Sequence, residues 1–246
     1  MRAFCIDVVK RYNQQVEYLA GIAMMAIVWL FFFLLRKDIR KEIVWGGYYY
    51  LSILSLGFIL IKIFAPDIPA QMTITPGYWN PNTLFDLARI TGGYSLEDAL
   101  YMFFTGGIAV AIYETLFRKH IGHRQLRHRP HFALIIGGFA GIIVAALGVN
   151  LIYVLIAFGF AGAITTWLQR PDLIKHSILG GISYLLVYIF SFLLFLEVFP
   201  EYVTTYYSLQ NISGILLLGI PLEELAFAFG FGLMWSPIYE YVKDVR

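Results

Sequence analysis

The sequence predicts an all-α polytopic membrane protein of about seven transmembrane helices, arranged as two parallel three-helix repeats joined by a connecting helix. Three observations carry this prediction. The chain is 59% hydrophobic and only 14% charged, whereas a soluble domain carries about 25% charged residues. Apolar runs recur at the length that a helix needs to cross a bilayer. The two halves also repeat the same polar and small residues in the same order, which is the signature of an internal repeat.

The predicted membrane spans follow from apolar runs of about 20 residues. They cover residues 16–35, 44–65, 94–117, 132–148, 150–168, 177–199 and 212–242. The last run is long for one span. Pro221 is expected to kink or break it, because proline lacks a backbone N–H and its ring clashes with the preceding turn.

Basic residues predict the orientation of these spans. Most Lys and Arg residues follow the first, third, fifth and seventh spans, which all end on the same side of the membrane. Because positive loops stay in the cytoplasm, we expect the N-terminus outside and the C-terminus in the cytoplasm. The net charge of +2 does not suggest nucleic-acid binding. The single cysteine, Cys5, excludes an internal disulfide and a site of several thiolates.

The internal repeat divides the chain into a first unit (16–117), a basic cytoplasmic loop with a connecting helix (118–149), and a second unit (150–246). A unit of three helices would invert the next one, and the connecting helix restores its orientation. Eight residues of the first unit match eight of the second at one constant offset. The matched pairs are Arg36 and Arg170, Asp38 and Asp172, Lys41 and Lys175, Gly46 and Gly180, Gly47 and Gly181, Tyr50 and Tyr184, Phe58 and Phe192, and Pro66 and Pro200. Six further residues match at a slightly shorter offset. The matched pairs are Leu96 and Leu222, Glu97 and Glu223, Phe103 and Phe229, Gly106 and Gly232, Tyr113 and Tyr239, and Glu114 and Glu240.

Each repeat carries two adjacent acids in an apolar helix, Glu97-Asp98 in the first and Glu223-Glu224 in the second. An acidic side chain at mid-membrane costs about 2.5–3.5 kcal/mol on insertion scales. Adjacent helical residues do not face the same way, so one acid of each pair can face a given cavity. The pairs either hold helices together through hydrogen bonds, or keep a carboxyl protonated through burial and like-charge repulsion.

A protonated carboxyl in an apolar site suits proton transfer to an alkene of a lipid. The resulting carbocation can close a ring, and a carboxylate can then remove a proton. Aromatic faces stabilise a nearby cation, although core packing or lipid contact is the ordinary use of such residues. The candidate catalytic residues are Glu97, Asp98, Glu223 and Glu224, and the candidate substrate-binding residues are Tyr101, Phe103, Phe104, Phe227, Phe229 and Phe231.

The phrase Pro221-Leu222-Glu223-Glu224 resembles the hallmark of the membrane lycopene cyclases of the heterodimeric and fused type. Two tandem three-helix units also resemble the fused form, where each unit carries an acidic phrase. The resemblance implies redox-neutral ring closure at the ends of a linear carotenoid, with no cofactor and no metal. It also implies a carotenoid substrate taken from the bilayer, contact with membrane lipid, carotenoid-pathway enzymes as partners, and the plasma membrane of a prokaryote. Ser95 departs from the pattern, since it stands where the second unit has Pro221.

Other membrane functions fit less well. An intramembrane glutamate protease would need an arginine where Ala228 stands, and a retinal protein would need a lysine inside the last span, before Lys243. A prenyltransferase would need Asp-rich motifs. The remaining alternative is a proton-coupled transporter or a scaffold that uses the acids for coupling or assembly. Four histidines in the basic loop, His120, His123, His128 and His131, suggest contact with lipid headgroups more than a metal site.

Overall fold

The structure is a computed structural model that describes residues 2–117 and 131–244, and side chains from residue 17 onward. The predicted histidine-rich loop lies outside the described residues, except for His131. The α-helices of this part are α1 (Arg2–Leu35), α2 (Arg40–Phe64), α3 (Leu87–Thr91), α4 (Leu96–Phe117), α5 (Phe132–Ala145), α6 (Leu151–Gln169), α7 (Ile174–Val198), α8 (Tyr202–Tyr206), α9 (Leu222–Trp235) and α10 (Ile238–Lys243). Short 3-10 helices cover Lys37–Ile39, Ala70–Met72, Leu84–Asp86, Pro171–Leu173 and Leu209–Asn211, and two short strands are β1 (Leu216–Leu217) and β2 (Ile220–Pro221).

The prediction of an all-α, membrane-type helical protein is confirmed. Within the described part, five helices are long and apolar enough to cross a bilayer, namely Glu17–Leu35, Lys37–Phe64, Leu96–Phe117, Leu151–Gln169 and Pro171–Val198. They correspond to the predicted spans one, two, three, five and six. The predicted fourth span is the shorter apolar helix Phe132–Ala145. The total of seven crossings therefore stays a prediction.

The predicted seventh span is not one helix. The break at Pro221 is confirmed, because helix α9 begins at the next residue and Pro221 stands at its N-cap. Before it, β1 and β2 pair as an antiparallel hairpin whose turn places Leu218 and Gly219 at positive φ. Proline suits the position before a helix, since its missing N–H would lack an intrahelical partner there. A second break at Pro237 separates α9 from α10.

Glycines bring the helices of each repeat into close contact at matching positions. In the first repeat, a Cβ added at Gly106 would lie 2.7 Å from the backbone oxygen of Gly46. In the second repeat, a Cβ added at Gly232 would lie 3.0 Å from the Cα of Gly181. Small residues allow such close backbone approach in membrane helices. The repeat seen in the sequence therefore packs α2 on α4 and α7 on α9 in the same way.

Two matched arginines make matching contacts. Arg170 donates to both carboxylate oxygens of Asp172, at 3.0 and 2.9 Å, and to the backbone oxygen of Glu240 at 3.3 Å. Arg36 likewise donates to both oxygens of Asp38 and to the backbone oxygen of Glu114. In each repeat the bidentate pair, a strong form of ion pair, holds the arginine within the loop before the second long helix. The arginine's bond to the backbone oxygen then joins this loop to the end of the acid-bearing segment.

The two repeats share one aromatic core. The ring of Phe231 in α9 packs between Tyr50 of the first repeat and Tyr184 of the second, with centroids 4.5 and 5.2 Å apart. The fully buried Trp235 donates from its indole nitrogen to the backbone oxygen of Gly46 at 3.3 Å. These contacts fix the acid-bearing helix of the second repeat against the first repeat, and so fix the space that both repeats enclose.

Candidate active site

A cavity of about 180 Å³ lies between the two repeats, and its wall is predominantly apolar and aromatic. Helices α1, α2 and α4 of the first repeat contribute to this wall, and so do α6, α7 and α9 of the second. Two carboxylates line the cavity, Asp98 and Glu224. They occupy matching positions in the two repeats. The second acid of each predicted pair therefore reaches one shared apolar space.

Two loops meet at the end of the cavity where the acids lie. In an isolated β-bridge, Trp79 of the loop after α2 pairs with Tyr207 of the loop after α8. The N–H of Asn80 donates to the oxygen of Tyr206, and the N–H of Ser208 donates to the oxygen of Tyr78, each at 2.9 Å. Tyr78, Trp79 and Tyr207 all line the cavity, so the paired loops form its wall at this end.

Asp98 is held by hydrogen bonds from within its own helix start and from α1. Its Oδ2 accepts from the N–H of Ser95 at 2.8 Å and from the Ser95 hydroxyl at 2.7 Å. The N–H of Asp98 donates back to the Ser95 hydroxyl at 3.2 Å, which completes a reciprocal capping box. The hydroxyl of Tyr18 donates to Oδ1 at 2.7 Å. This set of donors orients the carboxylate at the first turn of α4.

Glu224 is buried and held by tyrosines. Its two carboxylate oxygens accept from the hydroxyls of Tyr188 and Tyr207, at 2.6 and 2.8 Å. Burial, reinforced by the charge of Glu224, raises the pKa of Tyr207 well above its ordinary value. The same two causes raise the pKa of the nearby Tyr78 in the loop after α2. Both loop tyrosines therefore stay neutral and can donate to a carboxylate.

The first acid of each pair binds a loop instead. Oε1 of Glu97 accepts from the N–H of Leu84 at 2.6 Å. Oε1 of Glu223 accepts from the N–H of Ser213 at 2.8 Å and from the hydroxyl of Tyr153 at 2.7 Å. Both acids are buried, and neither belongs to the lining of the cavity formed by the described residues. Adjacent helical residues point in different directions, which explains this division in both repeats.

A protein-family model described as lycopene cyclase matches residues 17–116 and 150–242. The chain belongs to the lycopene cyclase family. The two matched segments support a tandem layout. Family membership supports carotenoid cyclase activity in general and a place in carotenoid biosynthesis in the membrane. No curated protein matches the chain. No solved structure matches it either.

Two of the six predicted substrate-binding aromatics of this cyclase family member line the cavity. They are Tyr101 and Phe227, which hold matching positions in the two repeats. The other four make packing contacts with other aromatic rings. The ring centroids of Phe103 and Phe104 lie 5.5 and 5.9 Å from that of Trp29. The centroid of Phe229 lies 6.0 Å from that of Phe160, and the centroid of Phe231 lies 4.5 Å from that of Tyr50. Core packing, the ordinary use of an aromatic, accounts for these four contacts.

Three tyrosines that hold the acids were not predicted from the sequence, namely Tyr18, Tyr188 and Tyr207. Tyr18 and Tyr188 lie inside predicted apolar spans, and this is a usable signal, because a buried hydroxyl needs a hydrogen-bond partner. Their positions do not repeat between the two units, however, so the repeat pattern does not reveal them.

A second cluster joins the repeats at the far end of α4 from the acids. Glu114 of the first repeat meets His176 and Glu240 of the second, with one possible ligand atom of each within 4.8 Å of the others. Nδ1 of His176 lies 3.7 Å from Oε1 of Glu240, and its ring stacks on Tyr113 with centroids 3.9 Å apart. Both Glu114 and Glu240 are buried.

Proposed function

We propose that this protein closes rings at the ends of a linear carotenoid by acid catalysis without a change of redox state. The observation that carries the proposal is the cavity, because two carboxylates from matching positions of the two repeats line one apolar space. The substrate is a carotenoid such as lycopene that enters from the bilayer, and enzymes of the same pathway supply it. The reaction is an isomerisation of the intramolecular-lyase type.

The proposed chemistry needs one proton donor and one proton acceptor. A carboxyl group transfers its proton to the terminal double bond, which leaves a carbocation on the neighbouring carbon. A second double bond of the same chain attacks this cation and forms the ring bond. A carboxylate then removes a proton from the ring, so that product and substrate have the same composition. Tyr101 and Phe227 present aromatic groups to the cavity, where they stabilise the cation.

The size of the cavity fits an end group. Pockets that enclose a drug-sized ligand measure roughly 300–1,000 Å³, whereas this cavity measures about 180 Å³. The reacting end of the substrate therefore enters the cavity, and the long conjugated chain stays among the lipids or along the helices. Glu97 and Glu223 support the site by holding the preceding loops.

Expression in cells that accumulate lycopene tests the proposed function. We expect cyclic carotenoids to appear in the lipid extract, separated by chromatography and identified by their absorption spectra. Unchanged lycopene in cells that contain folded protein in the membrane would contradict the proposal. That result would favour the alternative, a proton-coupled transporter or a scaffold built around the same acids.

Gly21 is expected to determine how much of the cavity volume is open to the substrate. It lines the cavity, and the matching position in the second repeat is Leu155, which lines it as well. A Cβ added at Gly21 would meet only the Phe195 ring, at 3.6 Å, so the fold tolerates a side chain there. Gly21→Leu is expected to lower the initial rate of cyclisation roughly 10- to 200-fold. One extra or missing methylene group in a hydrophobic substrate pocket changes catalytic efficiency by this factor.

Gly57→Leu is the matched control for Gly21→Leu. A Cβ added at Gly57 would meet nothing within 4 Å, and Gly57 does not belong to the cavity lining. Both variants should keep the melting temperature of the native protein, and the control should also keep its rate. Full cyclisation by a stably folded Gly21→Leu variant would show that the substrate does not occupy this cavity.

A further inference from the structure

The residue that precedes the acid-bearing helix differs between the repeats, and this difference changes how the two cavity acids are held. Ser95 gives two hydrogen bonds to Asp98, one from its backbone N–H and one from its hydroxyl. The matching residue in the second repeat is Pro221, which has neither a backbone N–H nor a hydroxyl. Glu224 therefore has no capping box of the kind that holds Asp98.

The donors that remain at Glu224 can reverse their role. Glu224 accepts hydrogen bonds from the hydroxyls of Tyr188 and Tyr207, and the neighbouring Tyr78 also presents a hydroxyl to it. A hydroxyl both donates and accepts, so either tyrosine can accept a proton from a neutral Glu224 and the contact is kept. A backbone N–H can only donate. Donors that cannot reverse favour the ionised form of a carboxyl group, and Asp98 has such a donor in Ser95.

We infer that Glu224 is the acid that protonates the substrate and that Asp98 is the base that removes the ring proton. This inference rests on the proposed function. Both acids occupy the third position of their helices, so the helix dipole acts on them alike. The difference between Ser95 and Pro221 therefore determines which acid is protonated and which is ionised. In one turnover the Glu224 proton adds to the alkene, the ring bond forms, and Asp98 takes a proton from the ring. Asp98 then releases its proton to the solvent and Glu224 takes up another from the solvent, so the cycle consumes nothing.

Deuterium exchange into the linear substrate separates the two roles. Purified wild type, Glu224→Gln and Asp98→Asn are incubated with lycopene in D2O, and the recovered lycopene is analysed by mass spectrometry. If Glu224 protonates the alkene, Asp98→Asn still forms the cation, which loses a proton and returns labelled lycopene while ring formation falls. Glu224→Gln should yield neither label nor rings. Glutamine and asparagine keep the size of the acids, and equal melting temperatures confirm that the variants are folded.

Several outcomes would overturn the assignment. Labelled lycopene from Glu224→Gln, with none from Asp98→Asn, would reverse the two roles. Loss of label in both variants, or unchanged ring formation in Asp98→Asn, would also refute the division between acid and base. Failure of the proposed function is distinguishable, because the wild type itself would then form no rings and incorporate no deuterium.

Pro221→Ser tests directly whether the Ser95/Pro221 difference causes the two acids to take different roles. The substitution gives the second repeat the backbone N–H and the hydroxyl that Ser95 provides in the first repeat. Serine is a favoured N-cap residue, so we expect the melting temperature to hold or rise. Because a hydrogen bond to a charged group is strong, holding Glu224 as a carboxylate should lower the cyclisation rate about tenfold or more. An unchanged rate in a folded Pro221→Ser variant would contradict the proposed origin of the difference.

Discussion

Replacement of Glu224 by glutamine is expected to lower the rate of cyclisation by about 10²–10⁴-fold, the contribution that a general acid makes. The two tyrosine hydroxyls donate to different oxygens of Glu224. The carbonyl oxygen of glutamine can accept one of these bonds and its NH2 group can donate to the other hydroxyl, so the fold should hold. It cannot transfer a proton to an alkene. The measurement is the initial rate of ring formation by purified protein in proteoliposomes loaded with lycopene, normalised to the amount of folded protein.

Two other acids serve as comparisons for Glu224→Gln. Glu197 is exposed in α7, and Glu197→Gln should leave the rate unchanged. Glu223 binds the N–H of Ser213 rather than the cavity, and Glu223→Gln should reduce the rate less than Glu224→Gln, since an amide oxygen can still accept that bond. A rate lost in Glu223→Gln but retained in Glu224→Gln would assign the chemistry to the first acid of the pair.

Gly106→Leu is expected to destabilise the fold by at least about 3 kcal/mol, at the upper end of the cost of overpacking. An added Cβ would lie 2.7 Å from the backbone oxygen of Gly46 and 2.8 Å from the Cβ of Tyr50. Neither atom can move away without separating α2 from α4. We expect a lower melting temperature in detergent and a smaller monodisperse fraction by size-exclusion chromatography.

Gly232→Leu should behave like Gly106→Leu, because it meets Tyr184 and Gly181 at 2.9 and 3.0 Å in the second repeat. Gly138→Leu is the control, since an added Cβ there would meet nothing within 4 Å. If Gly106→Leu and Gly138→Leu melted at the same temperature, the close packing of α2 on α4 would not be needed for stability.

The helical membrane fold and its tandem layout could be predicted from the sequence, because both depend on properties that a sequence displays. Apolar length predicts spans, and matched polar residues such as Arg36 and Arg170 reveal the repeat. The break before α9 was also predictable from Pro221. The hairpin ahead of it was not, because the apolar residues of β1 and β2 resemble a helix by composition alone, and their turn at Leu218 and Gly219 lies within the same apolar run.

The composition of the site was only partly predictable. Adjacent acids predict that one of each pair faces the cavity, but which one depends on how the helices rotate against each other. The hydrogen bonds of Tyr188 and Tyr207 to Glu224 arise from tertiary contacts between α7, the loop after α8 and α9. His176, which meets Glu114 and Glu240, matches no histidine in the first repeat and gave no signal of its own.

In the proposed reaction, a protein-bound proton starts ring closure without any change of redox state. The most direct test is the mass of the cyclic carotenoid that the purified wild-type protein forms from lycopene in D2O, without added cofactor. We expect one non-exchangeable deuterium for each ring formed. Cyclic product without deuterium, or ring formation only after addition of a redox cofactor, would contradict it.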